Sequence, residues 1–225
     1  MKKEYFYPLD AVLLLGPTGV GKSPLGDVTA ENGLFGRRCH HLDFGSELRR
    51  AVSGGERSAP YSKAELAFIH GVLDRGLLLE NERFSLAEKI IRLFLDRAGF
   101  VQRDILVLNG IPRHAGQAED IAAIAAVHAL IVLDCSAEEV FCRIRDNVGG
   151  DRSERADDGK ELIEKKLAIF RERTAPLIEH YEKRGRRVYR VRVTGAMAPE
   201  EAYRKASTLA AADPPVSLVA EPPQR

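Results

Sequence analysis

Eight consecutive residues, Gly16, Pro17, Thr18, Gly19, Val20, Gly21, Lys22 and Ser23, fit the pattern G-x-x-x-x-G-K-[ST]. The chemistry of that spacing is phosphate holding: glycines let the backbone turn its N–H groups inward around phosphate oxygens, and the lysine adds a cation at the β and γ phosphates. The Ser23 hydroxyl suits a magnesium ion carried by the nucleotide. Pro24 follows at once. It falls in the first turn of the expected helix, where an N–H has no intrahelical partner, so the helix tolerates it while one possible phosphate donor is lost.

A second set of residues adds positive charge. The stretch "LNGIPRHAGQAEDI", 108–121, turns through Gly110 and Pro112 into Arg113 and Gln117, and Arg49 lies in "DFGSELRRAV", 43–52. Arginine suits phosphoryl chemistry because its planar fork can hold two phosphate oxygens at once. The segment 145–159, "RDNVGGDRSERADDG", is dense in charge and nearly free of apolar residues, which predicts a solvated loop.

Positioning such groups takes a rigid frame, and the apolar runs supply one. Five short runs, 11–15, 39–44, 105–108, 129–133 and 188–193, read as buried strands, with helical periodicity between most of them. Ser85 is expected to cap a helix running to Ala98, with Glu88 completing a capping box and Gly99 ending it. A long helical pattern spans 160–183, kinked near Pro176. Strands alternating with helices predict an α/β fold with a parallel sheet covered on both faces. Residues 45–103 exceed a simple crossover and read as mainly helical, with 52–60 as a turning piece. The proline-rich stretch 211–225 reads as a disordered tail.

Bulk properties fit this picture. The chain has 225 residues, 44% hydrophobic and 30% charged, with a net charge of +1 that gives no general attraction to nucleic acid or membrane. Cys39, Cys135 and Cys142 form no C-x-x-C pair, which favours reduced thiols and a cytoplasmic setting. His40 and His41 read as structural residues of a strand.

The segment around Arg113 resembles D-G-F-P-R-x-x-x-Q of the adenylate kinase family of nucleoside monophosphate kinases. Further resemblances follow in the family's order: Gly45, Leu48 and Arg49 in 43–52, "DRGLLLENE" at 74–82, and the lid exit with its long helix at 154–185. Gly195 fits the loop that holds the donor's base. The resemblance covers about residues 10–210 and implies a P-loop NTPase-type three-layer α/β/α fold with a five-stranded parallel sheet. Core segments would be 1–42, 104–142 and 160–210, with a monophosphate-binding insert at 43–103 and a short lid at 143–159.

The resemblance also implies roles. ATP would lie on Gly16 through Pro24 with Arg143 and Gly195. Phe44, Arg49, Gly110, Arg113, Gln117 and Arg155 would line the acceptor site, with Gln117 reading the acceptor's base. Lys22, Arg113, Arg155 and Lys166 would act on the phosphoryl group in transit, and Asp157 and Asp158 would orient lid groups. The expected activity is transfer of the γ-phosphoryl of ATP, with Mg2+, to AMP or a related nucleoside monophosphate by a monomer. Several residues depart from the family: Asn109 replaces an aspartate near the magnesium, Phe44 a small hydroxyl residue, and Lys166 an arginine. Asn147 stands in place of a lid arginine, for which Arg152 is the substitute. These departures leave two other readings open: a nucleotide-binding regulatory protein, and a kinase for another small acceptor.

Overall fold

A computed structural model describes residues 8–75, 83–150 and 160–218. Five strands, β1 (Leu9–Leu15), β2 (Cys39–Asp43), β3 (Ile105–Asn109), β4 (Ala125–Asp134) and β5 (Arg187–Arg192), form one sheet in the order β2-β3-β1-β4-β5. Every pairing is parallel. The all-parallel sheet with helices on both faces is the α/β architecture expected.

The central strand shows why the apolar runs are continuous. Leu9, Ala11, Leu13 and Leu15 enter one core, while Val12 and Leu14 enter the core on the opposite face. Helices α2 (Phe44–Ala51), α3 (Lys63–Arg75), α4 (Phe84–Ala98) and α5 (Ala115–Ala122) contribute to the first core. Helices α1 (Lys22–Asn32) and α9 (Pro199–Ala212) contribute to the second. Between β4 and β5 come α6 (Ala137–Arg145), α7 (Lys160–Ile169) and α8 (Pro176–Glu182). Alternate side chains of a strand point to opposite faces, so a strand covered on both has no polar positions to show.

Three local expectations are corrected. Helix α4 starts at Phe84 rather than after Ser85, and its N-cap, Arg83, makes no side-chain cap bond. Glu88 is drawn off to Arg92 one turn later, at 2.6 Å, so no capping box forms at Ser85. Reciprocal Ser/Glu pairs occur instead at Ser62 with Glu65 and at Ser136 with Glu139. The stretch from Ala211 is not a loose tail as far as Leu218. Ala211 and Ala212 belong to α9, Leu218 is fully buried, and Tyr189 donates to the Asp213 carbonyl at 2.7 Å.

The kink near Pro176 takes a definite form. A π turn, Phe170–Thr174, joins α7 to α8, with Ala175 N–H donating to Phe170 O at 2.7 Å. Proline lacks an N–H and its ring displaces the carbonyl four residues back, so the wider turn absorbs the break. The three cysteines are free; burial pushes the Cys39 thiol up to about 12 and the Cys135 thiol to about 11, leaving both protonated at neutral pH. No helix among the described residues is long and apolar enough to cross a membrane.

Candidate active site

In a parallel sheet all the C-terminal strand ends lie on one edge, and ligands bind there, where connections leave neighbouring strands in opposite directions. Here β1 leads to β2 on one side and β4 to β5 on the other. The turn from β1 into α1 at that edge carries Gly16 through Ser23.

Gly21 caps α1 in the left-handed conformation, with φ 103°. The left-handed backbone favours glycine there, and a side chain would also press on Arg143 Nη2 at 3.0 Å. The Lys22 ammonium folds over the loop and donates to the carbonyls of Gly16 at 2.8 Å and Pro17 at 2.7 Å. This places its charge at the loop's mouth. Pro24 is the third residue of α1, within the first turn, as expected.

Beside the loop lies a polar cluster that sequence reading had only partly found. Ser23 Oγ donates to Asp43 Oδ2 at 2.5 Å and accepts from Asn109 Nδ2 at 3.2 Å. Asp43 and Asn109 end neighbouring strands and face each other in register. His41 stands between this cluster and α1: Nδ1 meets Asp27 at 2.8 Å, and Nε2 meets Asn109 Nδ2 at 3.2 Å. Its ring fills the space that a Cβ on Gly26 would need, 2.3 Å away. His40, by contrast, points to Asp104 at 2.8 Å, away from this cluster.

Asp43 is ionised at neutral pH. Burial alone would raise its pKa, but the Ser23 hydroxyl, the Ser46 N–H, His41 and Arg49 together hold the carboxyl below the usual carboxylate range. It also caps α2 by accepting from Ser46 N at 2.9 Å. Asp43 was not singled out from sequence; the signals that could have found it are its place before a helical segment, as a cap, and at the end of a strand on the same edge as the phosphate loop.

The residues expected on the acceptor side are distributed differently. Arg49 is exposed on α2, with Nη2 donating to Ser46 Oγ at 2.9 Å. Gly110, with φ 86°, packs against the start of α2, near Phe44 and Gly45. Arg113 follows the turn containing the cis Ile111–Pro112 bond. Its guanidinium is pushed down to about 10, first by burial and then by the neighbouring cation Arg173. Among the described residues no carboxylate pairs with it. Thr174 Oγ1 donates to the Arg113 carbonyl at 2.9 Å, docking the π turn that carries Arg173 beside it. Arg173 was not singled out from sequence, because nothing in a helical pattern marks the wide turn that brings it here.

Several expected roles change. Gln117 was expected to read the acceptor's base, but it is only 2% exposed and its Oε1 accepts from Arg113 N at 2.8 Å. Its own N–H meets His114 Nδ1 at 3.3 Å. This is a capping arrangement at the start of α5, and it commits the Gln117 carbonyl to positioning Arg113. Phe44, also expected at the base, is 4% exposed and belongs to the core.

Arg143, expected in the lid, is instead a buried residue of α6. Its Nη1 donates to Thr194 O at 2.8 Å, Gly195 O at 3.4 Å and Met197 O at 2.9 Å. It holds the Gly195 loop onto α6, with Nη2 lying beside Gly21 of the phosphate loop. Lys166 is half-buried on α7. Arg152, Arg155, Asp157 and Asp158 lie outside the described residues.

No protein-family model matches the chain. It is 31% identical over 192 residues to an adenylate kinase of Synechococcus sp. (strain RCC307), covering 83% of this chain and 91% of that one. It is 33% identical over 181 residues to an adenylate kinase of Thermobifida fusca (strain YX), covering 77% and 85%. Among solved structures, a gluconokinase from Sinorhizobium meliloti 1021 matches with 16% identity and a TM-score of 0.49, over 90% of this chain and 92% of that one. A sugar kinase from Janibacter sp. HTCC2649 matches with 18% identity and a TM-score of 0.49, over 95% and 100%. On the strength of the sequence relatives, the chain belongs to the adenylate kinase-related family of P-loop kinases.

Proposed function

We propose that this kinase moves the γ-phosphoryl of ATP to a nucleoside monophosphate, with AMP the leading acceptor. The observation that carries this reading is the buried guanidinium of Arg113 beyond β3. Arg113 is desolvated without a carboxylate partner among the described residues, and a buried guanidinium costs stability unless an anion joins it. An acceptor phosphate supplies that anion. The relatives' names point the same way.

In the reaction, an acceptor phosphate oxygen attacks the γ-phosphorus, a new P–O bond forms, and the bond from γ-phosphorus to the β–γ bridging oxygen breaks to release ADP. The protein's task is alignment and charge neutralisation rather than covalent chemistry. The backbone N–H groups of the loop from Gly16 to Ser23 hold the donor's phosphates. Lys22 exchanges its two carbonyl contacts for phosphate oxygens. Arg49 and Arg113 hold the acceptor's phosphate, and Arg155 and Lys166 attend the group in transit.

Magnesium, when bound with ATP, neutralises charge on the β- and γ-phosphate oxygens. The residues present suit it: Ser23 offers a hydroxyl beside an ionised carboxylate, and oxygen donors are what this hard cation prefers. No group of three or more His, Cys, Asp or Glu residues that could hold a metal exists among the described residues.

A specific observation favours a second reading, transfer to another small anionic acceptor: Phe44 and Gln117 are both buried and leave the base without the readers expected for AMP. A coupled assay for ADP across AMP, CMP, GMP, UMP and phosphorylated or carboxylated sugars separates the two. ADP formation with a nucleoside monophosphate, lost in Lys22→Ala, supports the first. Turnover confined to a non-nucleotide acceptor supports the second, and ATP binding without turnover on any of them contradicts both.

A further inference from the structure

We infer that Asp43, at the end of β2, is this chain's magnesium-holding carboxylate, taking the task to the strand next to the one that ends in Asn109. This rests on the reading of the site as one for magnesium and ATP. In P-loop enzymes the ion is held by the loop's Ser/Thr hydroxyl together with an aspartate at a strand end. The carboxylate in contact with Ser23 is Asp43, at 2.5 Å. The residue facing it in register on β3 is the uncharged Asn109, whose amide donates to the same hydroxyl at 3.2 Å.

The two residues therefore divide the work. Asn109 cannot contribute charge, and its amide N–H orients Ser23 while His41 Nε2 meets that amide from the far side. Asp43 contributes the charge. Its Oδ1 is occupied by the Ser46 N–H at the start of α2, which fixes the carboxylate and leaves Oδ2 turned to Ser23. Such supporting hydrogen bonds hold a metal-binding carboxylate in orientation. Because β2 and β3 are paired in register, moving a carboxylate between positions 43 and 109 shifts it by one strand while leaving it beside Ser23.

The test measures binding rather than turnover: affinity for a fluorescent ATP analogue with and without Mg2+, and the electron paramagnetic resonance of Mn2+ bound with ATP. Asp43→Asn removes the charge and keeps a residue type able to cap α2. It should lower the Mg2+-dependent gain in affinity by about 10- to 100-fold and leave Mg2+-free binding unchanged. The charge swap Asp43→Asn with Asn109→Asp should restore the gain and the Mn2+ signal, which a fold defect in the single variant would not allow.

An Asp43→Asn protein that keeps the full Mg2+ gain overturns the inference, as does one that loses turnover with metal binding intact, which would make Asp43 a base or positioning residue. An intact protein with no Mg2+-dependent ATP binding overturns both this inference and the reading of the site. Asp43-dependent metal binding with no acceptor turnover upholds the inference and contradicts the proposed function alone.

Discussion

The halves of the site proposed for donor and acceptor are built in different ways. On the donor side the chemistry is mostly backbone: glycine conformations, N–H groups and one lysine on a turn between β1 and α1. On the acceptor side it depends on side chains reaching across elements, and two of those expected to do so are committed elsewhere, Phe44 to the core and Gln117 to Arg113. A backbone site is specified by local sequence, whereas a side-chain site depends on packing that local sequence does not record.

That contrast can be broken first at Lys22. Lys22→Ala should lower kcat roughly 100- to 1000-fold, the cost of removing one preorganised charge-stabilising donor, with little change in thermal stability. A fall of less than about tenfold would mean that the loop's backbone alone suffices on the donor side.

Arg113→Met tests the other half through two readouts of opposite sign. Acceptor-dependent kcat/KM should fall roughly 100-fold, while the unliganded protein should melt higher, by about 2–4 °C for each 1 kcal/mol of relieved cation burial. Added phosphate should raise the melting temperature of the parent protein more than that of the variant. If the variant melts lower, the guanidinium has a stabilising partner and the anion argument fails.

Gln117→Leu should cost about 1–3 kcal/mol, because the Arg113 N–H loses its acceptor in a buried place. Acceptor KM should rise with it for every base alike; a change confined to one base would restore Gln117 as a base reader.

Acid sharpens the boundary between the halves at Asp43. Its folded pKa is depressed, so its contribution to stability is complete above the ordinary carboxylate range and is lost as pH falls through the folded value. The stability gap between the parent and Asp43→Asn should be widest above about pH 4 and close below it. A gap that stays constant into acid would mean that the carboxylate is not held by these partners. The smallest effect is expected at Pro24→Thr: a few-fold gain in nucleotide affinity from one restored N–H, read by titration, against no change if that N–H faces away.

The sheet was legible in the sequence because two covered faces force unbroken apolar runs, and β1 shows this at every residue from Ala11 to Leu15. The phosphate loop was legible because its backbone geometry admits few residues. The start of α4 was misplaced because Glu88 had a competing partner, Arg92, that a capping pattern does not weigh. Proline content suggested a loose end after Ala211, yet Leu218 finds a buried site and Asp213 a partner in Tyr189, contacts far apart in sequence. Arg143 carries the same lesson within the site. The family resemblance placed it at the donor, and its position on α6 aims it at three backbone carbonyls.

The most direct test of the central claim, a kinase whose acceptor is anionic and held by Arg113, follows the label from γ-32P-ATP. With AMP present, label should appear in ADP for the parent protein and fall roughly 100-fold in Arg113→Met. Label passing to AMP undiminished in the variant, or released only as inorganic phosphate by the parent, would contradict the account.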